Sequence, residues 1–174
     1  MDDAESGPVE DAVVVELWHH KTQETLLCAL AGLGHGGEAA QGGLRIRMDG
    51  VLADLRMQVC PKELFSASMC RCLTSLEIDD NKLAVLPSEI GQLAALTHLK
   101  ITQNKLVSLP VEVGQLHNLV SLWGRNNQLS SLPSQLGSLT SLTELDMSYN
   151  ELEDVPAQLF GGGRVWRGQR FLSR

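Results

Sequence analysis

The chain has 174 residues, 43% of them hydrophobic and 20% charged, which excludes wholesale disorder and allows one domain with a sizeable core. Aromatic residues make up only 4%, so Leu, Val and Ala must build that core. Fourteen basic residues stand against 21 acidic ones, for a net charge of −7; this argues against sequence-independent binding to nucleic acid or anionic lipid, both of which reward a basic surface.

Residues 1–11 are acidic and read as a disordered N-terminus, neither a signal peptide nor a transit peptide. No apolar run reaches the roughly 18–20 residues of a membrane-spanning helix, and no Asn-X-Ser/Thr acceptor occurs. These features lead to the expectation of a cytoplasmic protein whose four cysteines, Cys28, Cys60, Cys70 and Cys72, are reduced thiols. Residues 12–72 read as a helical N-terminal cap. The segment 23–33 carries Leu26, Leu27, Leu30 and Leu33 at helical spacing, and Gly34, Gly36 and Gly37 stop it. Two shorter helical candidates follow at 48–59 and 61–69, the second with Pro at its first position. Residues 12–18 (AVVVELW) fit a buried strand or a helix equally well.

From Leu73 the chain repeats itself four times without a gap at 23 residues, over 73–164. The segments begin LTSLEIDDNKLAVLP, LTHLKITQNKLVSLP, LVSLWGRNNQLSSLP and LTELDMSYNELEDVP. Apolar and polar positions alternate within LxxLxI, as in a half-buried strand. One coil cannot bury its own Leu side chains, but stacked neighbours can. The Asn column (Asn81, Asn104, Asn127, Asn150) supplies amides that, turned inward at a bend, satisfy backbone groups. Pro87, Pro110, Pro133 and Pro156 mark the passage to the opposite side, where no ladder N–H is needed. Gly91, Gly114 and Gly137 suit the turn after that passage. Residues 165–174 form a basic tail with Arg167, Arg170 and Arg174 around Trp166 and Phe171.

The pattern LxxLx(I/M)xxNxLxx(L/V)Pxx(I/V/L)GxLxx resembles the leucine-rich repeat family. The resemblance implies an α/β solenoid of four repeats, with a short parallel sheet on its concave face behind the helical cap. LPxxIGxL at this period is similar to plant intracellular Ras-group-related repeats. Residues 23–55 also look like one armadillo-type unit, through Gln23, Glu24, Ala29, Leu30, Leu33, Gly50, Val51, Leu52 and Leu55.

Outward strand positions, not the Leu positions, would meet a partner. They form three columns: Ser75, His98, Ser121, Glu144; then Glu77, Lys100, Trp123, Asp146; then Asp79, Thr102, Arg125, Ser148. Asp80, Gln103, Asn126 and Tyr149 lie just beyond. Trp123 with Arg125 and Tyr149 has the composition of an interface hot spot. The expected contact residues are Trp123, Arg125, Lys100, His98, Tyr149, Asp146, Glu144, Glu77 and Asp79. The alternative is a solvated face, with Trp123 packed on the Lys100 and Arg125 stems. Gly124 interrupts the inward column of Ile78, Ile101 and Met147, so Gly124→Leu is expected to fill a void and stabilise.

Catalysis finds no pattern. His19, His20, His35, His98 and His117 form no metal motif, and Cys70-Arg71-Cys72 lacks a second ligand pair. No phosphate-binding Gly-rich loop or nucleophile signature is present. The reading is therefore a non-catalytic protein-interaction scaffold, with no cofactor or metal, no nucleic acid and no membrane insertion. By resemblance it would act in Ras-type signalling. Two alternatives stand beside it: a regulatory fragment of a larger kinase or ubiquitin ligase, and a structural subunit of a cytoskeletal or ciliary assembly.

Overall fold

The computed structural model describes residues 13–16, 44–48, 52, 57–66, 69–161 and 168–170. Among them one parallel sheet runs in chain order: β1 Val13–Glu16, β2 Leu44–Arg47, β3 Leu73–Glu77, β4 His98–Lys100, β5 Ser121–Trp123, β6 Glu144–Asp146 and β7 Gly168–Arg170. Parallel neighbours need a crossover. Here each described crossover passes over the convex side through a single 3-10 turn: Lys62–Phe65, Ser88–Gln92, Val111–Gln115, Ser134–Ser138 and Ala157–Phe160. A proline precedes every one, because its fixed φ is already that of a helix start and its missing N–H is not needed there. The result is an α/β solenoid.

The Leu columns face inward and stack coil on coil. Leu73, Leu76, Leu96, Leu99, Leu119 and Leu122 are fully buried, as are Ile90, Val113, Leu136 and Leu159 from the convex turns. Backbone pairing continues past the strands: Ile78 N–H donates to Lys100 O, Ile101 N–H to Trp123 O and Gly124 N–H to Asp146 O. Each strand then turns through one left-handed residue, Asp80, Gln103, Asn126 or Tyr149, with φ of 55–58°. That turn carries the next residue, the column Asn, inward. Asn104 Nδ2 donates to Ile101 O in its own coil and to Ile78 O in the coil before, while its Oδ1 accepts from Leu83 N–H. Asn127 repeats this with Gly124 O, Ile101 O and Leu106 N–H, and Asn150 with Met147 O, Gly124 O and Leu129 N–H. Asn81 reaches back to Met48 O at 2.9 Å.

That last bond belongs to a coil the 23-residue period does not reach. Ile46 pairs with Leu76, 30 residues on, and Val13 with Leu44, 31 residues on. The helical cap expected over 12–72 therefore contains two strands that continue the sheet. Residues 44–48 read LRIRM, an apolar–basic alternation in which Ile46 and Met48 are buried and Arg45 is exposed. The convex half follows as MQVCPKELF from Met57, matching LAVLPSEIG from Leu83. Val59 bridges Val85, and Ala84 N–H donates to Gln58 O at 3.2 Å. Of the helical candidates, 48–59 keeps a helical residue at Leu52 but is not helical over 57–59, 61–69 contracts to the 3-10 turn Lys62–Phe65, and a single helical turn forms at Met69–Cys72. The candidate at 23–33 lies outside the described residues. The stretch 44–47, which an armadillo-type unit would use to connect two helices, is a strand. The basic tail contributes β7, paired with β6 from Glu144↔Gly168 to Asp146↔Arg170. Six strand-to-strand steps of about 4.8 Å give a sheet roughly 29 Å across, against roughly 15–20 Å for four repeats alone.

Cys60 occupies the core column of Leu86. Burial pushes its thiol up to about 12, so it is a packing residue and not a reactive one. Cys70 donates to Phe65 O at 3.5 Å, and burial also raises the thiols of Cys70 and Cys72.

Two glycine readings change. Gly91, Gly114 and Gly137 do not have the left-handed backbone that would make them turn residues. Their role is close approach: a Cβ on Gly114 would stand 2.6 Å from Gln135 O in the next coil. Gly124 leaves no void, because a Cβ there would meet Met147 Sδ at 2.7 Å and Ile101 Cδ1 at 3.9 Å. The neighbours have filled the space. Gly124→Leu is therefore expected to destabilise by about 1–3 kcal/mol through overpacking, seen as a lower Tm. Adding Met147→Ala should recover most of the loss. A Tm raised by Gly124→Leu alone would restore the void reading.

Candidate partner-binding face

Alternation puts positions three, five and seven of each repeat on the concave face, and the register sets which of them meet. Ser75, His98, Ser121 and Glu144 pair across β3–β6, as do Glu77, Lys100, Trp123 and Asp146. Glu77, Lys100, Trp123, Arg125 and Asp146 share one open pocket of about 460 Å³ with Thr102. Beside it, Arg125 and Tyr149 line a second hollow of about 560 Å³ with Thr102, Gln103 and Asn126. Trp123 is half-buried and Tyr149 is 47% exposed.

Trp123 does not lie on the Lys100 or Arg125 stem. Its ring stacks on His98, centroids 6.1 Å apart, a diagonal cross-strand pair. Arg125 lies instead over Tyr149, 4.5 Å from the ring centroid. His98 is oriented from behind. The single hydroxyl proton of Thr97 goes to Thr74 O at 2.9 Å. In the 2.7 Å contact between Thr97 Oγ1 and His98 Nδ1, a neutral ring must therefore be the donor. This fixes the Nδ1–H tautomer and leaves Nε2 as an acceptor.

The remaining charges are engaged within the chain. Arg47 on β2 pairs with Glu77 at 3.5 Å. Glu144 accepts from Ser121 Oγ at 3.0 Å. Asp146 Oδ1 accepts from both Ser148 N–H and Ser148 Oγ. Asp79 departs from the expectation of an accessible contact residue. It is only 7% exposed, ion-paired to Lys100 Nζ and accepting from Thr102 N–H at 2.7 Å. It holds Lys100 in place from beneath. Ser75, Ser121 and Ser148 are buried too, roofed by their larger neighbours. Sequence reasoning missed Arg45 and Arg47, which widen the face on β2; the signal for them was the LRIRM alternation.

Among the described residues no group of three or more His, Cys, Asp and Glu could hold a metal ion, and no helix is long and apolar enough to cross a membrane. A family model described as a leucine-rich repeat region matches residues 57–158. No curated protein matches the chain. Among solved structures, a leucine-rich repeat protein of Leptospira interrogans is similar at 32% identity and TM-score 0.52, covering 80% of this chain and 37% of that one. The BIR3–SERK2 complex of Arabidopsis thaliana is similar at 29% identity and TM-score 0.57, covering 79% and 74%. The BIR2 ectodomain of Arabidopsis thaliana shares the fold at 24% identity and TM-score 0.53, covering 66% and 62%. The chain thus spans little more than a third of the Leptospira protein. These structures overturn the expectation of a cytoplasmic protein, since the same coil builds an ectodomain; the repeat consensus and an acidic N-terminus do not set the compartment. With more than half of its length matched by the family model, and with an Asn ladder tying the coils together, this chain belongs to the leucine-rich repeat family, whose members are characteristically non-catalytic interaction modules.

Proposed function

We propose that the chain binds a protein partner on the concave face, with Trp123 at the centre of the contact. His98, Lys100, Arg125, Asp146 and Tyr149 would surround it, Glu77 and Glu144 would flank it, and Asp79 would act through Lys100. The observation that carries this reading is the pair of stacked groups, His98 on Trp123 and Arg125 on Tyr149, beside two open hollows. Aromatic and Arg side chains held rigid by stacking lose little entropy on binding, which is why such groups dominate interface energetics. The likeness to the BIR3–SERK2 complex supports an interaction role. A place in Ras-type signalling rests on the LPxxIGxL resemblance alone.

The test uses the whole chain as bait on native material from its source, beside Trp123→Ala/Arg125→Ala, with Tm measured for both. Partners retained by wild type and lost by the double variant at similar Tm would support the concave face. An unchanged partner list would move the interface to the convex side or to the N-terminal coils.

A further inference from the structure

Arg125 is the charge on the concave pocket that the chain does not itself answer. Lys100 is held by Asp79, Glu77 faces Arg47, and Asp146 accepts from Ser148. Arg125 has no carboxylate oxygen within 4 Å among the described residues; its guanidinium lies over the Tyr149 ring and borders both hollows. A guanidinium with one face covered by an aromatic ring keeps its edge donors, and that planar fork matches a carboxylate with two parallel hydrogen bonds. Stacking fixes the plane beforehand, so little side-chain freedom is lost when the anion arrives. Trp123 lies two residues earlier on the same outward face and lines the same pocket. It offers apolar surface next to the fork.

We propose that this pocket reads one acidic side chain, Asp or Glu, in an extended segment of a protein partner. The carboxylate sits on Arg125, and an adjacent apolar side chain of the same segment packs on Trp123. The proposal rests on the concave-face reading and adds the chemistry of the partner. It specifies a single carboxylate and not an acidic run, because a chain of net charge −7 repels a polyanion at long range and Glu77 and Asp146 border the same pocket. A cationic side chain is the poorer fit, since Glu77 is already paired and Asp146 already accepts two hydrogen bonds.

The probe is a random display library of linear 12-residue peptides, selected on the full chain and counter-selected on Trp123→Ala. Peptides that depend on Trp123 should carry Asp or Glu at a fixed distance from an apolar residue. As synthetic peptides they should bind Arg125→Gln about ten- to a hundredfold more weakly, the scale of a charge-assisted hydrogen bond. Replacing the acidic residue by its amide should cause a similar loss, and Arg125→Lys should restore part of the affinity. Arg125 is exposed, so both variants should keep the wild-type Tm. Trp123-dependent peptides without an acidic residue, or with affinity unchanged by Arg125→Gln, would overturn the carboxylate chemistry and leave the concave face standing. A library yielding no Trp123-dependent peptide would overturn both.

Discussion

Asn127→Ala is expected to remove most of the stability of the fold, about 3–5 kcal/mol. The amide donates to Gly124 O and Ile101 O at 3.0 and 2.9 Å and accepts from Leu106 N–H at 3.1 Å, all in buried surroundings. Truncation leaves three backbone groups without partners, each costing about 1–3 kcal/mol where water cannot enter. Domains of this size hold only about 5–15 kcal/mol in all. Asn127→Asp should be nearly as damaging: it keeps the acceptor for Leu106 N–H but points a carboxylate oxygen at two carbonyls. Gln128→Ala, one residue on and exposed, serves as the control and should change little. Urea unfolding reads the effect as a lower midpoint at constant slope. A midpoint near wild type for Asn127→Ala would mean that water replaces the amide and that the ladder is decoration.

Gly114→Ala is expected to cost about 2–3 kcal/mol, from the addition of one methyl group. Its Cβ would stand 2.6 Å from Gln135 O and 2.9 Å from Gln135 C. Both are backbone atoms of the next coil, so relief requires one coil to move away from the other. Gly124→Ala makes the contrast: there the obstacle at 2.7 Å is the sulfur of Met147, near the end of a side chain with three rotatable bonds. That variant should stay within about 1 kcal/mol of wild type, the scale of the entropy gained when Gly becomes Ala in extended backbone. Equal Tm values for the two variants would show that the coils slide freely and that the convex glycines are not spacers.

Much of the fold was legible because four repeats keep one period. Apolar alternation placed β3–β6, and a column of Asn at a constant offset announced the ladder before any bond was seen. The coil before Leu73 was hidden by its length. Extra residues inserted between strand and convex turn break a search at fixed period, although LRIRM and MQVCPKELF each carry the pattern locally. β7 was hidden for another reason: Gln169 takes the register position of Leu145, so no apolar signal marks it. The candidate site was legible as a set of columns but not as contacts. Alternation says that Asp79 points outward, yet only the neighbouring coil supplies the Lys100 and Thr102 groups that close over it. The His98–Trp123 stack is diagonal, and no column shows it. Gly124 was misread because a missing side chain looks like a hole in sequence, while Met147 was free to occupy it.

The Asn ladder gives the solenoid a direction. Every column Asn reaches backward: Asn150 satisfies Leu129 N–H and Gly124 O, both one coil earlier. Each coil is thus completed by its successor, as one tile of a roof is held by the overlap of the next. The two ends are not equivalent. Removing a coil from the C-terminal side strips the preceding coil of the amide that seals it. Removing one from the N-terminal side merely idles part of an amide that still has bonds at home. Additional coils can be laid at the front of such an array with little disturbance behind them, and it is at the front that this chain carries its two long, irregular ones.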